Sequence, residues 1–214
     1  DSYVRSDGSD SNAGTQNEPY ATLAKAVDVA KDGATIYVMS DLTMTKCARY
    51  YDTDLTITSL GDATCTITRG DNFAQQQDNA RSTYNPAMVE VQTTSDVGAG
   101  LTLTNIIFDD ARKHEGTVFA QASSGKSEGD ESSKIYVQDA IIASNATVTT
   151  TITLGEGAVL QNFGGMSAVR VTDQAKLVMK SGSVIKDASS ITRSKGDAGS
   201  VGPAGAVWLQ GGSF

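Results

Sequence analysis

The chain has 214 residues, 39% hydrophobic and 6% aromatic, with 21 Gly, 3 Pro and a formal net charge of -8; this apolar content can build one sizeable core. The acidic balance, with Lys and Arg scattered singly, excludes the basic stripe that nucleic acid or an anionic membrane surface requires. No apolar run approaches the roughly 18 residues of a membrane span, so membrane insertion is not expected either.

The chain opens with the loop Asp7-Gly-Ser-Asp-Ser-Asn-Ala-Gly-Thr15, followed by Pro19-Tyr-Ala-Thr22. Leu23, Ala26, Val27 and Ala30 then recur at helical spacing and predict an amphipathic helix over Pro19 to Lys31, entered at Asn17 or Glu18 and left at Gly33. A helix this short is marginal alone, so it is expected to seal one end of a β-structure. The first 38 residues read as a cap of loop, helix and first strand, and residues 39–214 as the body.

From Thr35 the apolar period falls to two. Thr35-Ile-Tyr-Val38, Leu55-Thr-Ile-Thr58, Thr64-Cys-Thr-Ile-Thr68, Met88-Val-Glu-Val91, Leu101-Thr-Leu-Thr104, Lys134-Ile-Tyr-Val137, Thr149-Thr-Thr-Ile-Thr-Leu154, Ala168-Val-Arg-Val171, Lys176-Leu-Val-Met179 and Ala206-Val-Trp-Leu209 alternate apolar with polar residues. Each reads as a short strand. Signals for two-residue hairpins are scarce, Leu55-Thr-Ile-Thr58 returns as Leu101-Thr-Leu-Thr104, and Gly157-Ala-Val-Leu160 is echoed by Gly205-Ala-Val-Trp208. With a helix to cover the first rung, the pattern favours an all-β, right-handed parallel β-helix, a solenoid with an N-terminal capping helix. Asn72 to Pro86, Ser123 to Ser133 and Ser189 to Pro203 read as loops leaving the stack. The start at Asp1 and the strand signal just before Phe214 are expected to mark a mature, exported piece whose coils continue in a longer parent.

Asp7 to Thr15, Pro19-Tyr-Ala-Thr22 and Asp32-Gly-Ala-Thr-Ile-Tyr-Val38 resemble the N-terminal cap of parallel β-helix proteins of the pectate-lyase-like superfold. Leu177-Val-Met-Lys-Ser-Gly-Ser-Val184 and Gly205-Ala-Val-Trp-Leu-Gln-Gly-Gly-Ser-Phe214 are similar to coils of large surface proteins of Gram-positive gut bacteria. The resemblance implies an extracellular, cell-surface setting. It carries fold rather than chemistry.

The densest ionisable cluster is Asp109-Asp-Ala-Arg-Lys-His-Glu115, with His114 the single histidine of the chain. A glycosidase needs two carboxylates facing one bond. Asp109 and Asp110 are adjacent and point opposite ways in an extended segment, so a catalytic pair needs a partner such as Asp71 or Asp139 from another coil. The competing reading is a solvated turn with local ion pairs. No cofactor is expected from the residues; resemblance to the lyases implies Ca²⁺, for which Asp7, Asp10 and Asn12 offer oxygens but also make ordinary Asx turns. Arg69, Arg112 and Arg170 are the basic residues such a lyase would draw on.

Arg69-Gly-Asp71 matches an adhesion tripeptide, although Gly-Asp after a strand is an ordinary turn. Trp208, alone in the chain, shares parity with Ala206 and is expected to face outward, where it would stack on a sugar ring. The Thr-x-Thr pairs fit an ice-binding face or simple β-propensity. Cys47 and Cys65 fit either one disulfide or two free thiols. No phosphate loop, nucleophile elbow or zinc motif is present.

The expected function is therefore a non-catalytic module of an exported bacterial surface protein, binding a glycan or another ligand of a host or cell-wall surface. The alternatives are the N-terminal part of a carbohydrate-active enzyme, of the lacto-N-biosidase type or a polysaccharide lyase, and an ice-binding solenoid.

Overall fold

A computed structural model describes residues 1–70, 73, 76–78, 81–84, 87–93, 97–111, 141–144, 149–163, 168–172, 175–188 and 206–210, the backbone alone at 76–78, 81–84, 141–144, 172 and 208–210. The expected strand Lys134 to Val137, the segments Ser123 to Ser133 and Ser189 to Pro203, and Asp71, Arg112, His114 and Asp139 lie outside these residues.

The regular structure of the described residues is almost all strand, with one short helix. Its strands form three parallel sheets and one antiparallel pair. The first sheet holds, in spatial order, β1 (Ser2–Val4), β2 (Ala34–Val38), β5 (Asp54–Ser59), β10 (Gly100–Thr104), β13 (Thr151–Leu154) and β16 (Lys176–Met179). The second holds β3 (Leu42–Met44), β6 (Cys65–Arg69), β11 (Ile106–Asp109), β14 (Ala158–Gln161) and β17 (Val184–Lys186). The third holds β4 (Ala48–Tyr51), β9 (Val89–Gln92), β12 (Ile141–Ser144), β15 (Val169–Thr172) and β18 (Val207–Gln210). From β2 onward the chain visits the first, second and third sheets in the same order on every pass.

Register explains why so few aromatics suffice for a core. In the first sheet Ala34 aligns with Leu55, Leu55 with Leu101, Leu101 with Ile152 and Ile152 with Leu177. In the second, Leu42, Ile67, Phe108, Leu160 and Ile185 form one row. These rows meet Ala48, Tyr50, Val89, Val91, Val169 and Val171 of the third sheet in a single apolar cluster. Branched side chains stacked on like neighbours bury both edges of each strand's inner face.

The sharp bends between strands use backbone conformations that Asn tolerates. Asn105, between β10 and β11, has φ 43°, and Asn162, after β14, has φ 60°; short polar side chains lower the cost of this left-handed region. Asn105 also works as a link, donating from Nδ2 to Gly61 O (3.2 Å) and accepting from Thr64 Oγ1 (2.6 Å).

The cap helix is shorter than its sequence pattern suggests. Helix α1 spans Leu23–Asp28, with Thr22 as N-cap accepting from Lys25 N at 3.1 Å. The preceding residues are taken by β-structure: Tyr20 bridges Val4 in parallel, and the Pro19 carbonyl accepts from Ser9 N. Leu23, Ala26 and Val27 are buried, and the helix packs against β4 and β1.

Two other expectations change. Within Asn72 to Pro86, read as a loop, β7 (Gln76–Asp78) and β8 (Arg81–Tyr84) pair antiparallel, so polar residues meet their backbone requirements locally. The echo between Gly157-Ala-Val-Leu160 and Gly205-Ala-Val-Trp208 is not a structural equivalence, since β14 belongs to the second sheet and β18 to the third. The match of Leu55–Thr58 to Leu101–Thr104 is a direct residue-for-residue pairing. Both cysteines are free; Cys65 is buried in β6 and points its thiol at Val38 O, 3.5 Å away.

Candidate functional site

The residues between the buried rows of the first sheet form rows of their own on its outer side. Thr35 aligns with Thr56, Thr56 with Thr102, and Thr102 with Thr153. Tyr37, Thr58 and Thr104 make a parallel row, extended by Tyr3 beside Tyr37. Each of these side chains is half-buried. Neighbouring strands lie about 4.8 Å apart, so the hydroxyls recur at that interval across the strands.

A third row contains Asp54, Gly100, Thr151 and Lys176. Because Gly100 has no side chain, the face sinks here into an open depression of about 200 Å³ running from Gly33 and Asp54 over Gly100 and Thr102 to Thr151 and Thr153. A Cβ on Gly100 would stand 2.6 Å from Asp54 Oδ1, so the absence of a side chain and the pose of that carboxylate are linked. From the inner side the buried Tyr50 hydroxyl donates to Gly100 O at 2.6 Å. Burial, with the Asp54 charge adding to it, pushes Tyr50 well above the usual phenol range, so this donor keeps its proton. Strand starts are fixed as well: Gly33 N donates to Asp54 O (2.8 Å), and Asp54 N to Asp32 Oδ1 (2.8 Å). On the first two strands of the same sheet Tyr3 and Tyr37 stack with centroids 5.2 Å apart, outside the lining of the depression.

The acidic cluster after β11 is divided between two environments. Asp109 is half-buried and accepts from Ala111 N (2.7 Å), Gln161 Nε2 (2.7 Å) and Asn162 Nδ2 (2.9 and 3.0 Å). Asp110 faces the other way, wholly buried, and is ion-paired with the equally buried Arg69 of β6. The Arg69 guanidinium lies over the Phe73 ring at 4.3 Å. The first residue of Arg69-Gly-Asp71 is therefore inside the protein.

Trp208 stands in the third sheet opposite Arg170, in the row that continues through Ile142 and Glu90 to Arg49. Arg49 and Glu90 in that row form an ion pair at 2.6 Å. The N-terminal side chains considered for Ca²⁺ make hydrogen bonds or ion pairs of their own. Asp10 accepts from Ala21 N, Thr22 N and Thr22 Oγ1, Asn12 donates to Pro19 O, and Asp7 pairs with Arg5. Among the described residues no group of three His, Cys, Asp or Glu side chains is placed to hold a metal ion.

Sequence reasoning picked out the threonines but not their convergence, and it passed over Asp54 and Gly100. The available signal was the residue preceding each Leu-Thr, Ile-Thr or Leu-Val strand core, which is Asp54, Gly100, Thr151 or Lys176 according to the strand. Comparisons with protein-family models, curated proteins and solved structures return no match to this chain.

Proposed function

We propose that this chain is a non-catalytic, carbohydrate-binding and adhesive module of an exported bacterial surface protein, built as a right-handed parallel β-helix. The repeated passage through three parallel sheets around one apolar cluster supports the solenoid reading. The observation that carries the binding reading is the depression on the first sheet, where threonine hydroxyls, a carboxylate and a glycine floor lie together. Sugars are recognised by convergent hydroxyl and carboxylate partners over a surface that leaves room for the ring. Elsewhere on the same sheet the stacked Tyr3 and Tyr37 offer an amphipathic surface of the kind sugar rings pack on.

The commitments of Asp109 to Gln161 and Asn162, and of Asp110 to Arg69, support structural rather than acid–base roles for these carboxylates. An ice-binding reading draws on the aligned Thr56, Thr102 and Thr153. The depression over Gly100 interrupts the flat, regular surface such binding needs, so the glycan reading is preferred.

Native affinity electrophoresis in gels containing mixed-linkage β-glucan, galactomannan or hydroxyethylcellulose tests this. Retardation by at least one polysaccharide, reduced in Thr56→Val/Thr102→Val/Thr153→Val, is the expected result. Wild-type protein that migrates freely in all three would overturn the reading, and thermal hysteresis in its solutions would favour ice binding instead.

A further inference from the structure

We propose that the depression over Gly100 is a single-sugar subsite in which adjacent hydroxyls of a neutral pyranose donate to the Asp54 carboxylate, the glycan running across the strands along the threonine rows. This rests on the carbohydrate-binding reading of the same face. Asp54 is exposed, and no hydrogen bond to its carboxylate is formed among the described residues. A carboxylate with two acceptor oxygens matches two neighbouring hydroxyl donors, and charge-assisted bonds of this type are stronger than neutral ones.

The floor is built to stay open. Gly100 O is held from within by the buried Tyr50 hydroxyl, Gly100 N donates to Thr53 O, and Thr151 N donates to Ala99 O. The strand therefore cannot sag into the depression without losing several hydrogen bonds. Its volume of about 200 Å³ lies below the roughly 300–1,000 Å³ of pockets that enclose drug-sized ligands. That scale suits one ring of a longer glycan resting in an open trough. A divalent cation fits less well, since among the described residues no group of three His, Cys, Asp or Glu side chains includes Asp54.

The strand spacing sets the direction of the chain. The rows Thr56, Thr102, Thr153 and Asp54, Gly100, Thr151 run perpendicular to the strands. A glycan laid along the first row meets a hydroxyl at each strand, whereas one laid along β10 has only the outward positions Gly100 and Thr102 within the depression.

The test uses whichever of the three polysaccharides retards the wild-type protein, with titration calorimetry for affinity. Asp54→Asn and Gly100→Ala are each expected to weaken binding by about tenfold or more, through a lost charge-assisted acceptor and a filled floor. Thr43→Val, on the second sheet, is expected to leave affinity unchanged. If Gly100→Ala fails to fold by circular dichroism, Asp54→Asn alone decides. Wild-type affinity in folded Asp54→Asn, with loss in the triple threonine variant, would overturn the subsite and leave the binding face standing. No wild-type binding to any of the polysaccharides would overturn both.

Discussion

Arg69 and Asp110, forty-one positions apart in sequence, form an ion pair whose two side chains are both fully shielded from solvent. Adjacent strands bring them together: β11, which precedes Asp110, pairs with β6, which ends at Arg69. Removing one partner leaves a buried charge, so Asp110→Ala is expected to destabilise by about 3–5 kcal/mol. The double variant Arg69→Met/Asp110→Leu is expected to recover most of that loss. Urea denaturation of both variants checks it, and equal losses in single and double variants would show that the pair is not the cause.

Asp109 is expected to matter for cohesion between neighbouring strands. Its carboxylate gathers the side-chain amides of Gln161 and Asn162, whose backbone lies one strand further along the second sheet. Asp109→Ala should cost about 1–3 kcal/mol by leaving partly buried donors unmatched. Asn162→Ala should cost at least as much, because it also places Ala at φ 60°. Thermal denaturation of the two variants, compared with Gln161→Ala, measures both contributions.

The alternation of Leu55-Thr-Ile-Thr58 and its partners made the all-β class legible, since a period of two over four residues leaves little else. Register was hidden because the aligned residues Ala34, Leu55, Leu101, Ile152 and Leu177 are separated by offsets of 21, 46, 51 and 25. Unequal excursions from the sheets destroy any fixed period while leaving each buried row intact. Leu23, Ala26 and Val27 predict the helix where it lies, but Pro19 sets its entry earlier than the structure does. Pro19 and Tyr20 carry good helix-start chemistry, and the parallel bridge from Tyr20 to Val4 overrides it. The burial of Arg69 and Asp110 is not legible, because local sequence holds no sign of a partner on the next strand. Asp54 is visible in the sequence only as the residue before a strand core, and that lone carboxylate becomes distinctive only when Gly100 is set beside it.

The loop that opens the chain is expected to be intolerant of one small change. A Cβ added to Gly8 would stand 2.5 Å from Tyr20 O and 2.6 Å from Pro19 O, both backbone atoms. Arg5 N donates to that Tyr20 carbonyl and Ser9 N to that Pro19 carbonyl. Gly8→Ala should therefore destabilise by about 1–3 kcal/mol, and Thr22→Ala, which removes the helix N-cap, by about 1 kcal/mol. Hydrogen exchange at Tyr3, Arg5 and Tyr20 should accelerate in Gly8→Ala before exchange in β10 or β13 changes. Uniform acceleration would mean that the cap and the sheets open as one unit.

Stability should fall at alkaline pH through two acids, the buried Tyr50 and the half-buried Cys47. Burial, with the Glu90 charge adding to it, pushes the Cys47 thiol up to about 12 from 9.0, and burial raises the Tyr50 phenol well above 10.0. Both groups stay protonated in the native state after the unfolded chain has begun to lose those protons. The unfolded state then binds fewer protons, so the slope of stability against pH is negative. The contribution is fully present below pH 9, and that of Cys47 is lost as pH rises from about 9 to about 12. Each group adds at most about 1.4 kcal/mol per pH unit to the decline. Urea midpoints for wild type should hold steady to pH 8 and drop above pH 9, while Cys47→Ala should delay the onset toward pH 10, where Tyr50 begins to act. Iodoacetamide should label Cys47 slowly in the folded protein at pH 8 and rapidly in urea, because the thiolate is the reactive form. Rapid labelling of folded protein, or an unchanged alkaline profile in Cys47→Ala, would show that the thiol ionises freely in the native state.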